Sequence, residues 1–339
     1  MQKVKFGVFD HMDDSGLPLG EHYEARLKMI EAYEAAGMHG YHIAEHHGTP
    51  LGFAPSPSVL LAAAAQRTSR IRIGSLIHAL PFYDPLRLIE ELCMLDHMSD
   101  GRLMFGMGKG ASPVEAGYFG VSGPEQQERY IEASQVILRG LTSDVLTFKG
   151  KFYNYENVPM TMKPKQVPHP EIWYGARLPD SFAFAAKNGW NAVTLALDDQ
   201  VKELTDTYKA AWAENGGAPE AMPLVGASRH IVVADTDEKA KDIARRAYAK
   251  WLASFRKLWL ENGFDKPLTF LYPDTWDELE AIRNGCAGSP ETVRNFAKGE
   301  IERGGFTYLI SWFAFGDLSL DEVTRSVGLF RDHVMPAFD

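Results

Sequence analysis

Strand-like apolar runs alternate with helix-spaced segments along almost the whole chain, and this alternation restricts the fold more than any other feature. Apolar runs at 4–9, 41–44, 71–77 and 103–107 are each followed by a segment with helical spacing, at 21–36, 57–67, 85–97 and 126–141. In the first helix Tyr23, Leu27, Ile30 and Tyr33 carry the spacing, and Gly37 ends it. Successive β-α units imply a parallel sheet, because each crossover returns the chain in the same direction. The second half is less regular but adds strands at 172–175, 192–197, 224–234 and 308–313, with helices at 180–187, 201–214, 237–259 and 320–334. Eight parallel strands with helices between them favour a closed (β/α)8 barrel over an open doubly wound sheet.

Residues 142–171 and roughly 260–305 do not fit the repeat. The first stretch carries Tyr153, Tyr155 and several prolines, the second Trp276 and Gly285-Cys286-Ala287-Gly288. Insertions of this length serve as lids, binding loops or oligomer contacts. No linker divides the chain, so residues 1–339 read as one α/β domain, a TIM barrel with two insertions.

Composition narrows the class of function. A net charge of −10 argues against general binding to nucleic acid or a membrane surface and favours small-molecule work. Cys93 and Cys286 lie in no metal-finger or CxxC spacing, so neither a disulfide framework nor a cysteine metal site is expected. No run approaches the ~18 apolar residues of a membrane span, and the start has no signal-peptide pattern, which points to a cytoplasmic protein.

On a barrel, catalytic side chains come from the C-terminal ends of strands. That filter selects Asp10 and His11, the Glu45-His46-His47 triplet, His78, Lys109, Arg177 and Trp312. The triplet is the most informative, because it places two adjacent imidazoles at a strand tip. Side chains alternate across a strand, so at most two of the three face one site and one histidine is structural. The stretch 101–110 puts glycines around Lys109 just past a strand, a composition that lets backbone amides and an ammonium approach a phosphate. It reads equally as a glycine turn with a solvated lysine. Ser181 and Asp180 open the helix after the fifth strand and stand as anion-site or simple N-cap residues. No P-loop is present, and no GxGxxG opens a helix in the first βαβ unit.

With these residues assembled, the chain resembles the bacterial luciferase-like flavin monooxygenases. The motifs run from Val4-Lys5-Phe6-Gly7-Val8-Phe9 through Ala44-Glu45-His46-His47, Ile73-Gly74-Ser75-Leu76-Ile77 and 95–102 to Phe105-Gly106-Met107-Gly108-Lys109-Gly110. Gly288-Ser289-Pro290-Glu291 and 330–336 extend the resemblance to the C-terminus. It implies a barrel that binds FMN at its C-terminal end, receives it reduced from a separate flavin reductase, and reacts with dioxygen through a C(4a)-peroxyflavin. His46 then corresponds to the histidine beside the flavin. Ser75, Leu76 and Ile77 correspond to the segment under the isoalloxazine, with a non-prolyl cis peptide at Leu76 and Ile77. Lys109 stands where luciferase has a phosphate-binding arginine, which keeps charge but loses the bidentate fork. A second family arginine maps to Arg129 across a two-residue insertion, and the phosphate loop of the fifth helix maps to Arg177, Leu178 and Ser181. Gly108 replaces luciferase's reactive cysteine and Ala196 its flavin-site tryptophan, departures that count against light emission and long-chain aldehyde specificity.

The resulting expectation is an FMN-dependent monooxygenase, a homodimer acting on a small organic substrate and using no metal. Two alternatives accompany it. A deazaflavin-dependent hydride-transfer oxidoreductase is possible within the same superfamily, although those relatives tend to carry a neutral Thr at the place of Lys109 and lack this Glu-His-His arrangement. A non-catalytic flavin-binding subunit is opposed by the retention of His46.

Overall fold

A computed structural model describes residues 3–265 and 268–338. Its elements, in chain order, are β1 (Lys5–Asp10), α1 (Leu19–Ala35), β2 (Gly40–Ile43), α2 (Pro57–Arg67), β3 (Arg72–Ser75), β4 (His78–Ala79), α3 (Pro85–Met98), β5 (Leu103–Gly108), α4 (Pro113–Tyr118), α5 (Gly123–Thr142), β6 (Val145–Lys149) and β7 (Asn154–Pro159). The second half contains β8 (Glu171–Gly175), α6 (Pro179–Lys187), β9 (Asn191–Thr194), α7 (Asp198–Glu214), β10 (Val225–Val233), α8 (Asp237–Glu261), α9 (Trp276–Ala281), β11 (Gly285–Gly288), α10 (Pro290–Gly304), β12 (Tyr308–Trp312) and α11 (Leu320–His333). Helix starts follow local chemistry. Asp84, for example, accepts the Arg87 N–H at 3.2 Å just before Pro85 opens α3.

Strands β1, β2, β3, β5, β8, β9, β10 and β12 pair in parallel in that order, and β12 returns to β1. The expected eight-stranded barrel is therefore closed. Its interior is filled by side chains rather than left as a pore. Tyr308 enters from β12 and packs on Trp173 at a centroid distance of 5.0 Å, while its hydroxyl lies 3.1 Å from His42 Nε2. Gly7 on β1 makes room for it: a Cβ there would sit 1.7 Å from the Tyr308 hydroxyl oxygen.

Three expectations need correction. The stretch 260–305 is not wholly an insertion: α10 packs between α7 and α11 and so takes the place of the seventh helix of the outer ring. The added parts are α8, α9 and β11, the last pairing with β10 outside the closed ring. The strand expected at 71–77 ends at Ser75, ahead of a cis Leu76–Ile77 peptide. The strand expected at 192–197 ends at Thr194, where the Thr194 hydroxyl accepts the Ala196 N–H at 3.0 Å and turns the chain. The stretch 142–171 lies between α5 and β8. It holds the antiparallel pair β6 and β7, fixed to α5 by Glu132, whose carboxylate accepts the N–H groups of Lys151, Phe152 and Tyr153. Residues 1, 2, 266, 267 and 339, at the limits of the expected domain and inside its second insertion, lie outside the described residues.

Candidate functional site at the barrel mouth

The β2 tip carries Glu45, His46 and His47, and two carboxylates divide the histidines between them. Glu45 Oε1 pairs with His47 Nε2 at 2.9 Å, while its Oε2 accepts the Ala79 N–H at 3.1 Å and the Tyr83 hydroxyl at 2.8 Å. His47 is thereby tied to Glu45. His46 turns the other way, with Nδ1 3.0 Å from Glu115 Oε1. The same oxygen accepts the His47 backbone N–H at 2.9 Å, so the hydrogen between Glu115 and His46 belongs to the imidazole. Its Nε2 is left as the proton-accepting atom in the neutral ring, an arrangement suited to general acid/base work.

Glu115 was not among the expected site residues. It lies on α4, and Ser112-Pro113-Val114-Glu115 has the spacing of a capping box. Ser112 Oγ does accept the Glu115 N–H at 3.3 Å, but the Glu115 carboxylate turns to the histidines instead of returning to the cap. A capping-box glutamate that opens a loop helix just past a strand end is the sequence signal for it.

Leu76 and Ile77 follow β3 on the neighbouring strand end, and their peptide is cis. Ile77 lies against Gly108 of β5, where an added Cβ would come within 2.8 Å of Ile77 Cγ1, and approaches the Cβ position of Gly175 of β8 at 4.0 Å. Three strand ends thus form an apolar floor with two positions lacking side chains. Ser75 contributes only backbone there. It is fully buried, its hydroxyl donates to the Gly106 carbonyl at 3.0 Å, and it lies 2.5 Å from His78 Nδ1. His78 is likewise structural, as is Asp10, which is held by Arg26 at 3.0 Å and by the Tyr41 hydroxyl at 3.0 Å.

The expected cationic residues occupy adjoining places. Lys109 leaves the end of β5 exposed, and its ammonium has no hydrogen-bond or ion-pair partner among the described residues. Gln126 at the start of α5 donates to the Lys109 carbonyl at 2.8 Å. Arg129, one turn further along α5, is drawn toward the β6–β7 turn, its guanidinium 4.5 Å from the Phe152 ring centroid, and its Nε is buried without a hydrogen-bond partner. Arg177, past β8, is exposed and reaches over Phe270 at 5.9 Å. Leu178 is the exposed N-cap of α6 and supplies no side-chain cap, and the Ser181 N–H bonds back to the Leu178 carbonyl at 3.1 Å. Neither Asp180 nor Ser181 is the N-cap.

The opposite wall is aromatic. His11, just past the end of β1, lies among Phe9, Trp312 and Trp251, with ring centroids 5.0, 4.7 and 5.9 Å away. Its ring is 5.3 Å from that of His46. Trp251 comes from α8, so one of the added elements completes the mouth. His230 on β10 packs 4.1 Å from Trp312, and burial pushes its pKa down to about 3. His230 and Trp251 were missed because both sit inside segments whose pattern reads as core. Among the described residues no group of three or more His, Cys, Asp or Glu is arranged to hold a metal, and no helix is long and apolar enough to cross a membrane.

The site therefore combines a carboxylate-held imidazole, an apolar floor and the exposed cations Lys109 and Arg177 at the C-terminal end of a (β/α)8 barrel, while Arg129 lies 3.9 Å from Glu125. The family model for luciferase-like monooxygenases matches residues 4–307, and the chain belongs to that family. It is 36% identical over 319 residues to an uncharacterized protein of Sinorhizobium fredii, covering 94% of this chain and 93% of that one. It is 27% identical over 356 residues to the oxygenase component of a flavin-dependent trigonelline monooxygenase from Acinetobacter baylyi, covering 99% and 96% of the two chains. The crystal structure of monooxygenase RslO1 from Streptomyces bottropensis superimposes with a TM-score of 0.87 at 25% identity, covering 99% of this chain and 100% of that one.

Proposed function

We propose that this oxidoreductase is an FMN-dependent monooxygenase that takes reduced FMN from a separate flavin reductase and uses dioxygen to oxygenate a small organic substrate. The observation that carries the reading is His46, fixed by Glu115 with Nε2 free, on the strand end beside the Leu76–Ile77 floor. The residues present fit the cofactor. Ile77 packs into the place a side chain at Gly108 would take, the Cβ position of Gly175 beside it is open to a flat ring, and the Lys109 ammonium, without a partner among the described residues, suits a phosphate at the adjoining rim. Arg177, Leu178 and Ser181, around the uncapped start of α6, and Arg129 would complete the phosphate surroundings, while Ser75 would act through its backbone alone.

Bound reduced flavin supplies the electrons that activate dioxygen. His46 would hold or move a proton through Nε2, with Glu115 keeping its ring in one orientation. The aromatic wall would keep water from the reacting face. That the trigonelline relative is an oxygenase component supports a separate reductase for this chain. Exposed Met94 and Met98, one turn apart on α3, give an apolar patch that suits a homodimer contact, which sedimentation equilibrium would test.

The test of the function is mass spectrometry of any cofactor retained on native purification, followed by a screen for oxygenated products with reduced FMN supplied by a reductase. Bound FMN and substrate-dependent oxygen incorporation support the reading. A retained deazaflavin, or flavin oxidation that never yields an oxygenated product across the screen, contradicts it.

A further inference from the structure

His11 and His46 are neighbouring rings of opposite hydrogen-bonding polarity. The indole N–H of Trp251 can only donate, and it ends on His11 Nδ1 at 3.4 Å. Burial, then the neighbouring His46, His230 and Arg26, push the His11 pKa well below its ordinary value, so the ring is neutral. A neutral imidazole carries one proton, and with Nδ1 accepting, that proton sits on Nε2. His46 has the reverse polarity, because Glu115 holds its proton on Nδ1. The two rings are 5.3 Å apart, so the wall offers one N–H and one lone pair side by side.

Around the His11 donor the surface is hydrocarbon, with Phe9 and Trp312 on either side. The charges behind it are already paired. Arg26 lies 3.0 Å from Asp10 and 3.5 Å from Asp13, and Arg229 lies 2.8 Å from Glu300. Among the described residues this side of the mouth therefore has no unpaired charge to meet an ionic group, and the partnerless ring nitrogens of the neighbouring His230 are themselves buried.

We infer that His11 selects the substrate: an uncharged, ring-bearing compound whose carbonyl oxygen accepts a hydrogen bond from His11 Nε2 while its hydrocarbon lies against Phe9 and Trp312. The inference rests on the barrel mouth being the oxygenation site. A hydrocarbon of the same shape would bury the His11 N–H without a partner, which disfavours it relative to the carbonyl compound.

The test uses the flavin-free protein and two probes of matched shape, acetophenone and α-methylstyrene, which differ by oxygen against methylene. Affinities come from ligand-observed NMR, and the carbonyl stretch of bound acetophenone from difference infrared spectroscopy. Wild type should bind acetophenone about tenfold more tightly and move its carbonyl stretch below the value in hydrocarbon solvent. His11→Phe keeps a ring but no N–H, so it should bind both probes alike and return the stretch to the solvent value. His11→Gln retains a side-chain N–H and should keep part of the preference. Should His11→Phe fold poorly, the wild-type infrared shift and its alteration in His11→Gln still decide the matter.

Equal binding of the two probes by wild type, an unchanged preference in His11→Phe, or tighter binding of phenyltrimethylammonium than of acetophenone would overturn the assignment. No flavin enters this measurement. Failure of the protein to bind reduced FMN would count against the cofactor reading alone and leave the two probes readable.

Discussion

One oxygen of Glu115 accepts from both histidines of the β2 tip, the ring of His46 at 3.0 Å and the backbone N–H of His47 at 2.9 Å. The first prediction follows from this shared acceptor. Glu115→Ala removes it and frees His46 to change tautomer, so productive oxygenation should fall by about 10²-fold while FMN binding stays close to wild type. Glu115→Gln retains an oxygen at the same reach and should be much milder. Stopped-flow flavin oxidation with parallel assay of hydrogen peroxide reports the difference, and equal damage from the two substitutions would show that Glu115 does more than orient the ring.

Lys109 and Gly108 are neighbours with separable roles. Lys109→Ala should weaken FMN by about three- to tenfold, leave riboflavin unchanged, and lose most of its effect at high salt, because the ammonium is exposed and screened. Gly108→Ala places a Cβ 2.8 Å from Ile77 Cγ1 and should shift the floor, weakening FMN and riboflavin alike by about tenfold. Fluorescence titration with both flavins checks the pair. A riboflavin loss in Lys109→Ala matching its FMN loss would make Lys109 structural.

Buried neutral histidines set the response to acid. Burial depresses the pKa of His42 and His230 to about 3, against 6.5 for an unfolded histidine. Above pH 6.5 neither state binds these protons and the stability is fully present. Below it the unfolded chain gains protons that the folded chain refuses, so stability falls as pH drops toward the folded values. The Asn284 backbone opposes the depression at His230 without overcoming burial, and the titratable rings near it, Tyr248, Tyr272 and His11, are uncharged in this range. His230→Phe should therefore flatten the pH dependence of urea unfolding between pH 6 and 5 by about 1 kcal/mol per pH unit. An unaltered slope would mean that the folded protein admits the proton.

The barrel was legible because its strands are apolar runs of ordinary length separated by amphipathic helices, so periodicity alone located all eight. Periodicity failed at Gly285–Gly288, where small residues give no alternating signal, and it concealed α10 behind the added α8 and α9. Of the residues grouped at the proposed site, the β2 triplet and His11 were visible from their place at strand ends. Glu115 was not, since its partner His46 lies 69 residues earlier and the local pattern around it reads as a helix cap. The cis Leu76–Ile77 peptide was expected from the family resemblance, not from any local feature of the residues. Arg129 shows the converse problem: a cation named from sequence is held in the structure beside Phe152, a contact that only the fold of the 142–171 insertion creates.

Reduced FMN is the cofactor proposed for the mouth of this barrel. Anaerobic titration with reduced FMN, followed by the same titration with a reduced 5-deazaflavin carrying its own phosphate tail, tests it most directly. Reduced FMN should bind saturably at micromolar concentration or below, more weakly in Lys109→Ala, with the deazaflavin failing to compete at tens of micromolar. Tighter binding of the deazaflavin, or no binding of reduced FMN at tens of micromolar, would contradict it.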